Sequence, residues 1–352
     1  MTELDGLNAW LDDRAREHLF SGVVLVRRGD ETLFEHAAGL AHRGHRVPIT
    51  IDTRFQVASV GKMITAATAL SMVEDGSLSL DAPLTKVLPA ELRPASLDDR
   101  HTLHHLLSHT SGLPNYYDDD DETPTSFMNA IERIPGSRAR GPRDVLPLFA
   151  DLPLASDLGK YVYCDANFVL VGLLIESVAG RPFSEVATER VLTPAGMTRS
   201  GFFDVDLEPD GFATGYTVTE EPVETWRSNV YGLTASAMPD GGMTSTAHDL
   251  DRLLDALRSG QIVSPETVAL MLMPHGIDEG GVEAGGYGAE LVIENGEVTS
   301  YGHLGSDAGV AAYVAQFVDT EITVIVVCNY DRGSRAVLLR LLAALGLHDP
   351  RL

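Results

Sequence analysis

The sequence predicts an α+β fold in which one antiparallel sheet is flanked by helices and carries a mostly helical inserted lobe. Runs rich in β-branched residues occur near both ends of the chain, in residues 21–38 and 287–329. Between about residue 75 and residue 274 the stronger segments have helical periodicity, and loops rich in Pro and Gly interrupt them. A sheet assembled from both chain ends, with helices inserted between its two parts, is an α+β arrangement with helices layered on one sheet.

The first elements are a helix and a hairpin. Residues 1–20 alternate acidic and apolar groups, and their apolar positions indicate an amphipathic helix. Residues 21–28 and 31–38 are β-rich runs, and the Gly29-Asp30 pair between them has the turn chemistry of a short hairpin. We therefore expect the sheet to begin with two tightly paired antiparallel strands.

The rest of the sheet is expected near the other end of the chain, where an apolar helix follows it. The predicted strands are residues 287–294, 298–302, 310–319 and 321–329, and the predicted helix is 334–345. In the middle of the chain the most clearly helical segments are residues 103–107, 168–178 and 247–259.

The length of the chain, 352 residues, allows two cores or one core with a large insertion, because a domain usually has roughly 100–200 residues. We predict a sheet lobe formed by residues 1–75 together with 275–352, and a mostly helical lobe formed by residues 76–274. No internal repeat is apparent.

The net charge of −25 argues against nucleic-acid binding and against adhesion to an anionic membrane, since both need concentrated positive charge. The first residues lack the basic start and apolar region of a signal peptide, and no stretch approaches the roughly 20 apolar residues that span a bilayer. These observations indicate a cytoplasmic protein. Cys164 and Cys328 are too few for a disulfide framework and are expected to be free thiols.

Ser59 and Lys62 form the most informative motif, because a hydroxyl and an amine three residues apart at the start of a helix share one face. Serine is a poor nucleophile at neutral pH, and an amine whose pKa is lowered by burial and by a helix N-terminus can take its proton or hold another base that does. The N–H of Ser59, unpaired in the helix ladder, is free to face a developing oxyanion. Taken alone, the motif also fits a capping Ser59 and a solvated Lys62, so its context decides.

Two further motifs supply that context. Tyr163-Cys164-Asp165 precedes a helical run, and His303-Leu304-Gly305-Ser306 lies between two strand-like segments. With Ser59-x-x-Lys62 ahead of them, they resemble the motifs of the serine β-lactamase and penicillin-binding-protein superfamily, which are Ser-x-x-Lys, Tyr-x-Asn, and Lys-Thr-Gly or His-x-Gly. The chain is most similar to the branch that holds AmpC-type β-lactamases, D-alanyl-D-alanine carboxypeptidases, D-aminopeptidases and esterases. Supporting segments are residues 106–114, 194–197 and 241–250.

The resemblance implies an active site in the cleft between the two lobes. It implies that Ser59 is the nucleophile, that Lys62 and Tyr163 move its proton, and that the N–H groups of Ser59 and Ser306 form the oxyanion hole. A phenol ordinarily titrates near pH 10, so Tyr163 needs nearby positive charge, such as Lys62, to act at neutral pH. Gly305 is expected to permit close approach of an acyl group.

Asp165 and His303 are predicted to bind substrate, and both depart from the commonest family pattern. Asp165 replaces an asparagine, and because a carboxylate can only accept, it should hold Lys62 in its charged form and remove a donor to an acylamino group. The same Asp165 could also cap the following helix. His303 replaces a lysine of many relatives and is mostly neutral at pH 7, so substrates that bear a carboxylate lose an anchor.

Neither a metal nor a cofactor is expected. His105 and His109 are one helical turn apart, but the glutamate of a His-Glu-x-x-His zinc site is absent. The acidic run 118–122 lacks the alternating ligands and the glycine of an EF-hand loop. We interpret it as a solvated loop that would disfavour anionic substrates if it borders the cleft.

The sequence therefore predicts a metal-independent serine hydrolase that forms an acyl-enzyme on Ser59. Its substrate is expected to be a small ester, amide or D-aminoacyl compound, as for a carboxylesterase or a D-amino-acid peptidase or amidase. An acyltransferase using the same acyl-enzyme, a true β-lactamase or D-alanyl-D-alanine carboxypeptidase, and an inactive binding homologue remain alternatives. The oligomeric state is not indicated.

Overall fold

The computed structural model describes residues 4, 6–116, 139–205, 207, 209–219, 224–231, 234–330 and 333–352. The acidic run 118–122 lies outside the described residues, so its interpretation as a solvated loop stays a prediction. The α-helices are α1 (Leu7–Arg16), α2 (Gly61–Glu74), α3 (Leu84–Val87), α4 (Leu103–Leu107), α5 (Pro142–Val145), α6 (Asp165–Ala179), α7 (Phe183–Ala187), α8 (Ala247–Arg258), α9 (Pro265–Met271) and α10 (Ser334–Ala344). The strands are β1 (Gly22–Arg28), β2 (Glu31–Ala38), β3 (Leu40–His42), β4 (Val47–Pro48), β5 (Phe55–Gln56), β6 (Tyr216–Thr219), β7 (Thr225–Ser228), β8 (Thr244–Ser245), β9 (Gly276–Ile277), β10 (Glu283–Gly285), β11 (Glu290–Glu294), β12 (Glu297–Asp307), β13 (Val310–Phe317) and β14 (Ile322–Cys328).

The main sheet joins both ends of the chain. Its strand order is β2-β1-β14-β13-β12-β11-β10-β9, and each neighbouring pair is antiparallel. The central pairing of β1 with β14 runs in register from Gly22 opposite Cys328 to Arg28 opposite Ile322. The predicted α+β fold with an antiparallel sheet flanked by helices is therefore confirmed, as is the hairpin of β1 and β2.

The sheet is covered by apolar side chains on both faces. Because side chains alternate along a strand, Val24 and Val26 pack with α1 and α10, whereas Val23 and Leu25 belong to a larger core that includes α2, α6 and α8. Burial on both faces explains why β14 reads as an uninterrupted apolar run rather than an alternating one. The larger core is continuous from the sheet into the helices, and the lobe boundaries at residues 75 and 275 stay a prediction.

Two of the differences between the predicted and the observed extents of the elements affect the site. Strand β12 was predicted to end at Gly302, but it continues to Asp307, because β13 pairs with it without interruption from Ser300 to Asp307. The His303 motif therefore lies inside a strand, not in a glycine-rich loop between strands. Helix α6 begins at Asp165, three residues before the predicted start.

In the part of the chain that the structure describes, no single helix is long and apolar enough to cross a membrane. One pair, Asp165–Ala179 with Phe183–Leu192, meets the length and composition requirement only when the two helices are taken together across an 84° bend. Cys164 and Cys328 are both buried and are not joined in a disulfide, as expected from their number.

Candidate active site

Ser59 lies on a short 3-10 turn, Ala58–Val60, that leads directly into α2. The preceding residue, Ala58, has a positive φ of 45°, a left-handed conformation that costs energy for a residue with a Cβ. A backbone hydrogen bond anchors the start of this turn, since the N–H of Val57 donates to the carbonyl of Met243 at 3.0 Å. A strained but well-fixed turn thus presents the Ser59 hydroxyl at the N-terminal end of a helix.

Lys62 is fully buried on the first turn of α2, and its ammonium is shared by three acceptors. Nζ donates to Ser59 Oγ at 2.9 Å, to the carbonyl oxygen of Asp240 at 2.6 Å, and to a carboxylate oxygen of Asp165. An ammonium has three protons, so each of them has an acceptor. A carboxylate in contact with a buried amine stabilises its charged form, which leaves the Ser59 hydroxyl proton available to a different base.

Tyr163 lies beside Lys62, just before α6. Its ring centroid is 5.1 Å from Lys62 Nζ, and its ring stacks on His109 with centroids 4.6 Å apart and planes 22° apart. Nδ1 of His109 accepts the N–H of Cys164 at 3.0 Å, and burial, reinforced by the charge of Lys62, lowers the pKa of His109 to about 3. A neutral imidazole therefore supports the phenol, and Lys62 supplies the positive charge near it.

Asp165 is the first residue of α6, and its side chain does not cap that helix. The residue before it, Cys164, is the N-cap, and no side-chain cap bond is made there. The Asp165 carboxylate binds Lys62 instead, while its second oxygen accepts from Asn115 Nδ2 at 3.3 Å. Asn115 Oδ1 also accepts the N–H of Asp165 at 3.1 Å. The capping interpretation of Asp165 is therefore wrong, because a buried ammonium is a stronger partner than a helix end.

The edge of β12 is open beside Ser59. Among the described strands, β11 pairs with β12 only as far as Glu290 opposite Gly302, so the following residues have a strand partner only on the β13 side. The N–H of Leu304 points to the open side, since it donates to Glu290 Oε2 at 2.9 Å. Because N–H groups alternate in direction along a strand, that of Ser306 points to the same side.

Gly305 brings this edge against the turn that carries Ser59. A Cβ placed on Gly305 would lie 2.3 Å from the carbonyl oxygen of Val57, a separation that no side chain tolerates. Only glycine allows β12 to pass this close to residues 57–60. The structure thus brings together Ser59, Lys62, Tyr163, Asp165 and the edge of β12 that carries Gly305 and Ser306.

His303 is buried at the same edge and is neutral at pH 7. Burial is the main reason that its pKa is lowered to about 3, and the charge of Lys62 lowers it further. Its ring lies edge-on to that of Tyr163, with centroids 6.2 Å apart. A side chain without charge therefore lies at the position where the motif resemblance implies a lysine.

Three carboxyl groups interact with the charge of Lys62 and give the site an excess of acidic side chains: those of Asp165, Asp240 and Asp307. Sequence reasoning missed the last two. Burial and the charge of Asp165 raise the pKa of Asp240 to about 6, and Tyr116 donates its hydroxyl to the Asp240 carboxylate. Burial raises the pKa of Asp307 to about 7, with Asp165 and Asp240 adding to the effect. No motif marks Asp240 or Asp307, because their proximity to Lys62 arises only from the packing of remote segments.

The histidines considered as metal ligands have other partners. His105 Nδ1 contacts Thr102 Oγ1 at 2.9 Å in a capping box at the start of α4, and His109 supports Tyr163. Among the residues that the structure describes, no group of three or more His, Cys, Asp and Glu side chains is arranged to hold a metal ion.

Comparison with known proteins agrees with the motifs. Residues 7–347 match the Beta-lactamase family. The chain is 32% identical over 286 residues to esterase EstB from Burkholderia gladioli, covering 75% of this chain and 72% of the esterase. It is 28% identical over 338 residues to a D-aminopeptidase from Brucella anthropi, covering 93% of this chain and 59% of that protein.

A solved structure agrees as well. The crystal structure of a penicillin binding protein from Bacillus halodurans matches the fold with a TM-score of 0.87 at 32% sequence identity, covering 95% of this chain and 99% of that one. The resemblance drawn from the three motifs is thereby confirmed. Because the family match spans nearly the whole sequence, the chain belongs to the beta-lactamase family of serine hydrolases.

Proposed function

We propose that this hydrolase cleaves small neutral or cationic esters through an acyl-enzyme on Ser59. The observation that carries the proposal is the hydrogen bond of 2.9 Å from the buried Lys62 Nζ to Ser59 Oγ, made by an ammonium whose other protons are held by Asp165 and Asp240. A hydroxyl fixed by such a donor keeps its own proton for transfer and the second lone pair of its oxygen for attack.

In the proposed reaction, Tyr163 starts as a phenolate stabilised by the Lys62 ammonium beside it, and it takes the Ser59 proton as Ser59 Oγ attacks the ester carbonyl. The N–H groups of Ser59 and Ser306 stabilise the oxyanion, and the proton then moves from Tyr163 to the departing alkoxide as the carbon–oxygen bond breaks. Water attacks the acyl-enzyme by the same route in reverse, giving the acid and free Ser59. Each step conserves its protons without a metal or cofactor.

The choice of an ester rests on its leaving group and on one relative, and the choice of an uncharged or cationic one rests on His303. An alkoxide leaving group needs less help from an acid than an amine does, and esterase EstB is among the relatives. The uncharged His303 offers no cation to a substrate carboxylate, which disfavours the anionic substrates that a lysine would anchor.

A D-aminoacyl amide is the second candidate. The carboxyl groups of Asp165, Asp240 and Asp307 all interact electrostatically with Lys62, so an additional substrate ammonium would find favourable charge. The Brucella anthropi D-aminopeptidase among the relatives supports this candidate. Acyl transfer to an alcohol or amine would use the same acyl-enzyme and would appear as diverted product.

The charge preference predicts a pH-dependent selectivity. We expect 4-nitrophenyl methyl adipate to be hydrolysed with a higher kcat/KM than 4-nitrophenyl hydrogen adipate, which differs only in carrying a carboxylate. The ratio of kcat/KM for the neutral ester to kcat/KM for the anionic ester should rise about 3- to 10-fold from pH 6 to pH 8. The reason is that Asp307, with a pKa of about 7, gains its negative charge over this range.

The ratio of two esters on one enzyme cancels the pH dependence of the shared chemistry. In Asp307→Asn, where no charge develops at this position, the ratio should be flatter with pH. A higher kcat/KM for the anionic ester, or an equally steep ratio in Asp307→Asn, would contradict the assignment of charge preference to this carboxyl group.

The close approach at Gly305 gives another prediction. Gly305→Ala should lower kcat/KM for 4-nitrophenyl butyrate about 100-fold, because its Cβ forces β12 away from the Val57 carbonyl and displaces the Ser306 N–H. Gly141→Ala is the matched control, since a Cβ there meets nothing within 4 Å. Wild-type kcat/KM in a folded Gly305→Ala protein would show that this approach is not needed.

A further inference from the structure

Glu290 takes the place of a strand partner at the open edge of β12. Its Oε2 accepts the N–H of Leu304 at 2.9 Å, just beyond the last residue pair of β11 with β12. Its Oε1 lies 3.2 Å from Nδ1 of His303. The Glu290 carboxyl group is buried. One carboxylate thus holds both the backbone and the histidine of the strand segment that leads to Ser306.

Arg351 balances the charge of this buried carboxylate. Its Nη1 lies 2.8 Å from Glu290 Oε2, and its Nε and Nη2 donate to the two oxygens of Asp349 at 2.9 and 2.7 Å. Asp349 also accepts the hydroxyl of Tyr313 at 2.8 Å, and Tyr313 lies opposite Leu304 in the pairing of β13 with β12. The contacts therefore run in a continuous network from Leu304 on β12, through Glu290, Arg351 and Asp349, to Tyr313 on β13. Moving one member of this network disturbs the others.

The same contacts fix the tautomer of His303. Its Nδ1 is within reach of two acceptors, the carboxylate of Glu290 and the carbonyl oxygen of Leu304. A nitrogen between two acceptors carries the proton, and a neutral imidazole has only one. The proton is therefore on Nδ1, and Nε2 has a lone pair.

We propose that Glu290 and Arg351 are positioning residues for the reaction: together they hold the edge of β12, Glu290 fixes the His303 proton on Nδ1, and Arg351 opposes a second proton on that ring. The proposal rests on the proposed function, in which that edge supplies the Ser306 N–H to the oxyanion. Neither residue touches the reacting atoms; both act through Leu304 and His303.

The charged and titratable groups that face His303 come from several elements. Lys62 and Arg351 oppose its protonation, Asp165 and Glu290 favour it, and His109 and Tyr163 lie beside it. In Arg351→Met the carboxylate of Glu290 loses its cation. Burial raises the pKa of Glu290, and Arg351 opposes this effect, so without Arg351 the coupled pair of Glu290 and His303 should take up a proton at a higher pH than in the wild type.

The tautomer can be measured without any assay of activity. In protein labelled with ¹⁵N-histidine, the His303 signals, assigned by their absence in His303→Gln, should show at pH 7 a protonated Nδ1 and an unprotonated Nε2. A proton on Nε2, or an imidazolium, would overturn the proposal. Because this experiment needs no substrate, its result is independent of whether the chain hydrolyses esters.

Kinetics then test whether the network matters for the reaction. We expect Arg351→Met to lower kcat/KM for 4-nitrophenyl butyrate about 10- to 100-fold and to introduce a new inflection in its pH profile, at a pH where the wild-type profile has none. The double variant Arg351→Met/Glu290→Gln should lose that inflection, since no carboxyl group remains to share a proton with His303. Arg181→Met, which removes an exposed ion pair with Glu189, is the control and should match the wild type.

The outcomes separate the two proposals. A loss of kcat/KM without any new inflection in Arg351→Met, or an inflection that persists in the double variant, would reduce the pair to a structural role and overturn the inference. A wild-type protein that shows the expected tautomer but has no Ser59-dependent ester hydrolysis would instead overturn the proposed function.

Discussion

Ser59→Ala should lower ester turnover by about four to six orders of magnitude, the largest effect of any single substitution in this protein. The reason is chemical, since no other described hydroxyl accepts a hydrogen bond from the buried Lys62 ammonium. Without Oγ no acyl-enzyme can form, so the oxyanion hole and Tyr163 have no reaction to assist. The measurement is kcat for 4-nitrophenyl butyrate per mole of folded protein.

The same variant should lose covalent labelling by a fluorophosphonate, seen as the absence of the mass of one adduct. Ser79→Ala, at an exposed serine outside the site, is the matched control and should keep both turnover and labelling. Loss of labelling in a protein of unchanged melting temperature assigns the nucleophile. Turnover in Ser59→Ala equal to that of Ser79→Ala would place the reaction elsewhere, and labelling retained on another residue would do the same.

The fold was largely predictable because local patterns and global architecture agree. The hairpin of β1 and β2 is encoded by the Gly29-Asp30 turn between two β-rich runs, and the apolar run of β14 reflects burial on both faces. The end of β12 was not predictable from composition. Gly302 and Gly305 look like loop residues, whereas the structure uses Gly305 to let a strand pass against the carbonyl of Val57.

The candidate site divides in the same way. Short motifs carry Ser59, Lys62, Tyr163 and His303. The structure places Ser59 and Tyr163 beside the Lys62 ammonium, and His303 beside Tyr163. Asn115, Asp240 and Glu290 have no such signal, since each enters the site through contacts between segments far apart in sequence. Sequence patterns indicate which chemistry is present, but the groups that set charge and orientation are fixed by tertiary packing.

Lys62→Met should both inactivate and destabilise the protein. The substitution leaves the Asp165 carboxylate buried without its cation, which is expected to cost about 3–5 kcal/mol of unfolding free energy. Turnover of 4-nitrophenyl butyrate should fall about 10³-fold or more, because Ser59 loses its donor and Tyr163 loses its neighbouring positive charge. Lys160→Met, at an exposed ion pair with Glu279, is the control and should change neither quantity appreciably.

The double variant Lys62→Met/Asp165→Asn separates these two effects. Replacing the carboxylate with a neutral amide removes the unpaired charge, so most of the lost stability should return, while turnover should stay at the level of Lys62→Met. Urea unfolding and kcat on the same preparations measure both. If stability did not return, the buried ion pair would not be the source of the destabilisation. If turnover returned with it, Lys62 would serve only to neutralise Asp165, and the two roles assigned to it, holding Ser59 Oγ and supplying positive charge beside Tyr163, would have to be abandoned.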